Sequence, residues 1–324
     1  MKVIEIENPG PQSSLVVRDV AEPTLSAGEV LVRVVAAGVN RADLLQRAGK
    51  YPPPPGASEL LGLEVSGVVE RRAADVTSID IGEEVCALLA GGGYAELVAV
   101  PALQVFRRPR SVSLRDAAAL PEAFITAYAN LVGEGRLAVG ELVLIHGGAS
   151  GVGTAAIQVA HALGARVACT VGDDAKVDRC RALGAELVIN YKKQDFAAKI
   201  AEWSPSGVSL ILDIIGHDYF ERNISVLTPR GRLVCIATMS GAKAELDIAV
   251  LMRKRLSVIG SVLRGRSIAE KGELVREFSE RFLPLFESGF VTPIVDSVFP
   301  FEKVEDAHTC MRQSTHVGKI LLTW

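Results

Sequence analysis

The 324-residue chain is 49% hydrophobic and 23% charged, proportions that exclude a disordered chain and fit about two domains at roughly 150 residues each. Thirty-five Lys and Arg against 38 Asp and Glu give a net charge of −3, and aromatic residues make up only 5%. With no basic excess for phosphates and few rings for stacking, a nucleic-acid partner is not expected.

Residues 1–7 alternate charged and apolar side chains and lack the apolar core of a signal peptide. Up to about residue 121 the pattern is β-rich, with strands predicted over 30–35, 64–69 and 95–100 between turns rich in Gly, Pro and Asp. A short helix is predicted over 40–47, and the proline run 52–55 that follows can be neither helix nor central strand. It reads as an extended surface loop, either a linker or a rigid loop beside a cleft. From 122 to 264 apolar strands alternate with helices: strands at 142–145, 166–171, 187–189, 210–213 and 232–236, with helices at 152–163 and 175–183. That alternation implies a parallel sheet covered on both faces, a doubly wound α/β domain. The segment 142–165 holds no Asp, Glu, Lys or Arg, but its Gly cluster marks it as a strand, turn and helix, not a membrane span. Residues 256–263 read as a long apolar strand late in this domain, and at a sheet edge such a strand needs a cover. The tail, 265–324, predicts a helix over 268–288, then strand, helix and strand. About sixty residues are too few for an independent core, so the tail is expected to return to the first domain, making it discontinuous. The five cysteines, Cys86, Cys169, Cys180, Cys235 and Cys310, are odd in number and share no C-x-x-C spacing. Neither a disulfide framework nor a zinc ribbon is indicated, and a reducing, cytoplasmic setting fits best.

The chemistry-bearing motif is the run from His146 to Gly153, His-Gly-Gly-Ala-Ser-Gly-Val-Gly, which follows a predicted strand and opens a predicted helix. Glycines there allow a tight turn and close approach of a pyrophosphate, while the helix N-terminus presents N–H groups to the anion. Two registers fit, Gly151-x-Gly153-x-x-Ala156 and Gly148-x-Ser150-x-x-Gly153. An NAD site usually carries an acid at the end of the second strand; here that position falls on Val171, with Asp173, Asp174 and Lys176 just beyond. No carboxylate at the strand end repels a 2′-phosphate and Lys176 can pair with one, so NADPH is expected over NADH. Lys176 as an ordinary solvated residue, or an inward turn of Asp173 or Asp174, is the competing reading. The five histidines form no constellation, and His146 reads as a satisfied core residue.

Further motifs in order are Asn40-Arg41-Ala42-Asp43-Leu44, the run Tyr51 to Gly56, Leu88 to Gly93, Asn190 to Phe196 and Gly318-Lys319-Ile320. With these the chain resembles, end to end, the zinc-free quinone oxidoreductases of the medium-chain dehydrogenase/reductase superfamily. The resemblance implies a Rossmann domain plus a discontinuous, β-rich GroES-like catalytic domain, the fingerprint register Gly148-x-Ser150-x-x-Gly153, and a homodimer joined at the 256–263 strand. It also implies cofactor contacts at Asn40, Thr126, Gly151, Val152, Gly172, Lys176, Tyr191, Ala237, Thr238, Met239, Ser240, Val262, Leu263, Arg264 and Lys319. Zinc-dependent relatives hold their metal with Cys, His and Cys or Asp. The matching positions here are Asn40, Leu63, where relatives have a His, and Glu122; one carboxylate without partners is no zinc site, and the four-Cys structural lobe is missing.

Without a Lewis acid, a quinone or enone is the acceptor that needs least assistance, and the protein mainly orients it and stabilises developing oxyanion charge. Tyr51 is the candidate donor, or else an aromatic wall. Asn40 and Asp43 lie three apart on one face of a short helix, Asn40 to orient substrate or cofactor and Asp43 as a cap or hydrogen-bond anchor. An enoyl-thioester or enone reductase uses the same geometry and is the alternative. A cofactor-binding protein without turnover is the reading from another class. No membrane partner is expected.

Overall fold

Alternation of apolar and polar side chains sets the first stretch as strands. The structure, a computed structural model, describes all residues 1–324. It begins with an antiparallel hairpin, β1 (Lys2–Glu7) and β2 (Ser14–Asp19), in which Lys2 faces Asp19 and Glu7 faces Ser14. Next come β3 (Glu29–Val39), helix α1 (Arg41–Arg47), β4 (Glu64–Arg72), β5 (Glu84–Leu88), β6 (Leu97–Pro101) and β7 (Val105–Arg107). The prolines 52–54 between α1 and β4 carry no helix or strand, as their missing N–H groups require. Helix α2 (Pro121–Tyr128) has Pro at its first position, where an N–H would be unpaired anyway, and runs into a π-helical turn, Ala129–Glu134.

The second stretch is β8 (Leu142–Ile145), α3 (Gly151–Ala162), β9 (Arg166–Val171), α4 (Val177–Ala182), β10 (Ala185–Asn190), α5 (Phe196–Trp203), β11 (Val208–Asp213), α6 (His217–Val226), β12 (Leu227–Cys235), α7 (Ile248–Lys254) and β13 (Ser257–Gly260). The tail adds α8 (Ile268–Glu287), β14 (Val295–Pro300), α9 (Val304–Gln313) and β15 (Lys319–Thr323).

The chain divides into two units, Met1–Ile125 with Leu263–Trp324, and Thr126–Val262. In the first, a sheet runs β14-β15-β3-β4-β5-β7, with β6 also paired to β3. The final strand inserts beside β3, Ile320 opposite Val39, so residues far apart in sequence share one surface. Its core holds Val32, Val65, Val69, Tyr94, Phe301, Ile320 and Leu322. On α8, Phe278, Phe282 and Phe286 recur every fourth residue and are buried, with Phe278 and Phe282 stacked at 5.6 Å.

The second unit is an entirely parallel sheet, β10-β9-β8-β11-β12-β13. Strand order reverses between β8 and β11, and in such sheets ligands bind beyond the carboxyl ends of the strands at this switch point. The expected doubly wound α/β architecture is therefore present in the second unit, and the first unit carries a separate sheet of its own. One strand is shorter than its sequence suggests. Of the apolar run 256–263 only Ser257–Gly260 pairs with β12; the chain then leaves the sheet, and Leu263 and Arg264 are buried in the first unit. No helix is long and apolar enough to cross a membrane.

Candidate active site

In the second unit the Gly-rich turn begins at the carboxyl end of β8, where His146 N donates to Leu212 O at 3.0 Å and Gly148 N to Thr170 O at 2.8 Å. Ser150 is the N-cap of α3, its Oγ accepting from Gly153 N at 2.9 Å. A Cβ on Gly153 would lie 2.1 Å from Gly147 O, so only glycine lets the helix start so close to the turn. Gly151 and Val152, in the first turn, have N–H groups without an intrahelical acceptor, and the helix dipole adds partial positive charge there. This cradle fits a pyrophosphate. His146 is buried, its ring nitrogens meeting Thr170 Oγ1 at 3.1 Å and Asn223 Oδ1 at 2.7 Å. Burial pushes it down to about 4, so it sits neutral in the core.

β9 ends at Val171, with no carboxylate at its last position. A Cβ on the next residue, Gly172, would meet the Tyr191 hydroxyl at 2.7 Å, so the glycine lets that phenol lie against the strand end. Both nearby acids are engaged. Asp173 Oδ1 accepts from Ala175 N at 3.0 Å and caps a short 3-10 turn, Asp174–Lys176. Asp174 accepts from Asn190 Nδ2 at 2.5 Å and pairs with Lys193. Lys176 closes that turn, so the predicted helix over 175–183 is a 3-10 turn followed by the shorter α4. Ala237, Thr238, Met239 and Ser240 form an exposed segment, pinned where Met239 N and Ser240 N donate to Ile214 O and Ile215 O at 3.2 and 2.9 Å. The Thr126 hydroxyl, just before the π-helical turn, is buried without a hydrogen-bond partner, a group left for a ligand to satisfy. Val262 is exposed.

In the first unit the strand pairing of β15 with β3 brings Lys319 against Glu64, both buried, as an ion pair. Glu64 also accepts from Asn40 Nδ2 at 3.0 Å and from Glu122 N at 2.8 Å. Lys319 Nζ further donates to Asn40 Oδ1 at 2.7 Å and to Val39 O at 3.2 Å. Both ends of the Asn40 amide are thus spent inside this unit, as is the Lys319 ammonium. Glu122 sits beside Glu64, and burial together with that carboxylate pushes its acid up to about 8.

Asp43 anchors the start of α1. It accepts from Asn40 N at 2.7 Å, from Gly62 N at 3.2 Å and from the Tyr94 hydroxyl at 3.1 Å. The Tyr94 oxygen meets His308 Nε2 at 3.2 Å, and His308 Nδ1 meets Arg47 at 3.4 Å. Complete burial pushes Asp43 up to about 6, against the pull of those backbone N–H groups and of Lys319. Burial and Arg47 push His308 down to about 3. With Nδ1 facing a guanidinium donor, the consistent tautomer carries its proton on Nε2 and donates to Tyr94, which donates to Asp43.

Tyr51 is half-buried at the head of the proline loop. The Arg264 guanidinium lies 5.2 Å from its ring centre and also donates to Tyr51 O at 3.4 Å, Ala90 O at 2.8 Å and Gln46 Oε1 at 2.7 Å. That fork, 3% exposed, holds the tyrosine by its ring face and its backbone carbonyl. The Tyr51 hydroxyl makes no hydrogen bond within the protein, and burial, aided by Glu122, holds its pKa above the ordinary phenol value.

Residues 26–110 match the alcohol dehydrogenase GroES-like domain and residues 151–280 the zinc-binding dehydrogenase family. Mouse quinone oxidoreductase is 30% identical over 328 residues, covering 99% of this chain and 97% of that protein. The chain belongs to the medium-chain dehydrogenase/reductase superfamily of oxidoreductases. A Danio rerio homolog of the synaptic vesicle membrane protein VAT-1 is 31% identical over 93% of this chain, which spans 65% of that relative's length. Among solved structures, Escherichia coli quinone oxidoreductase complexed with NADPH aligns with a TM-score of 0.87 at 29% identity, covering 100% of this chain and 99% of that one. CurK enoyl reductase aligns at 0.86 and 27%, covering 99% and 98%.

Glu64, Tyr94 and His308 do not stand out in the sequence, and Glu122 does so only through the resemblance, at a position where zinc-dependent relatives hold their metal. Glu122 is one carboxylate after a proline, and His308 has no partner within reach along the chain. The one local sign is Glu64 opening an apolar strand and ending up fully buried there, which demands a partner.

Proposed function

We propose that the protein is an NADPH-dependent, zinc-independent reductase of quinones or similarly activated carbonyl acceptors. The observation that carries this reading is Tyr51, a phenol clamped by Arg264 whose hydroxyl is left without a protein partner. A donor so held suits stabilisation of oxyanion charge on an acceptor. That no three His, Cys, Asp or Glu side chains meet where they could hold a metal ion supports the zinc-independent reading.

The Gly151 and Val152 amides would hold the pyrophosphate, Ser150 would keep that turn in shape, and Thr126 would satisfy a polar group of the cofactor. Lys176 would pair with the 2′-phosphate from the turn just beyond β9, whose last position carries no carboxylate. When bound, NADPH supplies the hydride. Tyr51 then donates to the acceptor oxygen as it becomes negative. Asn40, Lys319 and Arg264 act through other side chains, fixing Glu64 and Tyr51 in place.

The likeness to CurK enoyl reductase supports a second reading, reduction of an enone or enoyl thioester, for which the same donor serves an enolate. A cytoplasmic homodimer joined through the exposed edge of β13 completes the proposal. Steady-state rates with 9,10-phenanthrenequinone, 1,4-benzoquinone and a crotonyl thioester, each with NADPH and NADH in parallel, test it. Turnover of a quinone with NADPH preferred is expected. NADPH binding with no turnover of any acceptor would contradict it.

A further inference from the structure

Two carboxyl groups meet at the backbone of Glu122, and the protein treats them differently. Glu64 is fully buried and receives three donors, Lys319 Nζ, Asn40 Nδ2 and Glu122 N. An ammonium and two N–H groups make it an ionised, satisfied acceptor. Glu122 has none of this: no side chain or backbone N–H donates to its carboxyl. Two of the nearby cations are already committed, while Lys271 acts on Glu122 through its charge without a hydrogen bond to it. Lys319 spends its hydrogens on Glu64, Asn40 and Val39, and Arg264 spends its fork on Ala90, Gln46 and Tyr51. Glu122 is partly buried, and a carboxylate there has lost part of its hydration with no protein donor to replace it, which penalises the charged form.

We propose that Glu122 is the proton donor to the anion formed when the acceptor is reduced. This rests on the reductase reading above and deepens it. The groups whose charges act on Glu122 are Glu64 on β4, Asp43 on α1, Lys319 on β15 and Lys271 on α8. Arg264 before α8 and the Tyr51 phenol feel its charge in turn. Desolvation and the fixed negative charge of Glu64 outweigh the two lysines and keep its proton on up to about pH 8. Of two neighbouring carboxyls in unlike surroundings, Glu64 is held by three donors and Glu122 by none, which leaves Glu122 as the acid. Tyr51, electrostatically coupled to Glu122, offers a second hydroxyl without a protein partner.

The step balances simply. The acceptor gains two electrons and a hydrogen from the dinucleotide and becomes an oxyanion or enolate. The Glu122 O–H bond then breaks, its proton forms the new O–H or C–H bond of the product, and water reprotonates the carboxylate before the next turnover.

The test compares wild type with Glu122→Gln and Glu122→Asp by three readouts: a pH profile of kcat, NADPH affinity by fluorescence titration, and infrared detection of the protonated carboxyl. Wild-type kcat is expected to hold at neutral pH and fall as pH rises through about 8. Glu122→Gln should lose roughly 10²-fold in kcat, the low end for a general acid, and lose that alkaline fall, with NADPH affinity unchanged. Glu122→Asp should keep the alkaline fall at a lower rate. The infrared carboxyl band should be present at pH 7, fade through pH 8 and be missing from Glu122→Gln. A Glu122→Gln enzyme with kcat near wild type, or a wild type lacking that band at pH 7, overturns this inference alone. If Glu122→Gln does not fold, the wild-type band and the Glu122→Asp profile decide. A wild type that turns over no acceptor overturns the reductase reading, and this inference with it.

Discussion

Tyr51→Phe keeps the ring beneath Arg264 and removes only the hydroxyl, which has no other hydrogen bond to lose. Removing an oxyanion donor typically costs a factor of about 10² to 10³ in kcat, and quinones need less help because their reduced forms delocalise charge. The expected fall in kcat is therefore roughly 5- to 50-fold with NADPH affinity unchanged, and larger on an enoyl thioester than on a quinone. Full kcat on both acceptor classes in stopped-flow assays would make Tyr51 a wall of the site. Lys176 poses the matching question for the cofactor. β9 ends at Val171, with no carboxylate at its last position, and Lys176 closes the short turn just beyond it. Lys176→Ala should raise the dissociation constant for NADPH and leave that for NADH nearly unchanged. Calorimetry showing equal loss for both would remove Lys176 from 2′-phosphate recognition.

Elements differ in how far their sequence alone defines them. The Gly-rich turn is legible because strand, turn and helix lie within a dozen or so residues, and Ser150 caps α3 from inside the motif. β3 and β4 are legible because their alternation is dense. β13 misleads: the apolar run 256–263 reads as one strand, yet pairing stops at Gly260 because Arg264 is drawn into contacts with Ala90 and Gln46, which no local pattern announces. The anchor on α1 is still less visible, since Tyr94 lies 51 residues from Asp43 and 214 from His308. His146 ties β8, β9 and α6 together through Thr170 and Asn223, and gives those elements a pH signature. Its folded pKa of about 4 lies below the unfolded value near 6.5, so its contribution is full above pH 6.5 and is lost as pH falls toward 4. The stability gap between wild type and His146→Gln, from urea unfolding, should narrow over that window. A gap that stays constant with pH would show that His146 is not held neutral.

For the molecule as a whole, the alternation of strand and helix after residue 122 leads directly to the doubly wound sheet, and the short tail leads to β15 beside β3. β13 ends the second unit's sheet with an unpaired edge and exposed Val258, 40% accessible. An edge of this kind is a template for a second copy related by a two-fold axis. Light scattering at micromolar concentration should give twice the chain mass, and Val258→Lys should shift it toward the monomer; a wild-type monomer would contradict the dimer. The central claim, that the chain positions NADPH for reduction of an acceptor, is tested most directly by the fate of deuterium at nicotinamide C4. Turnover of 9,10-phenanthrenequinone with each C4-deuterated diastereomer of NADPH, followed by mass spectrometry of the NADP⁺ produced, should show label lost from one diastereomer only. Loss from both alike, or bound NADPH that is never oxidised, would contradict it.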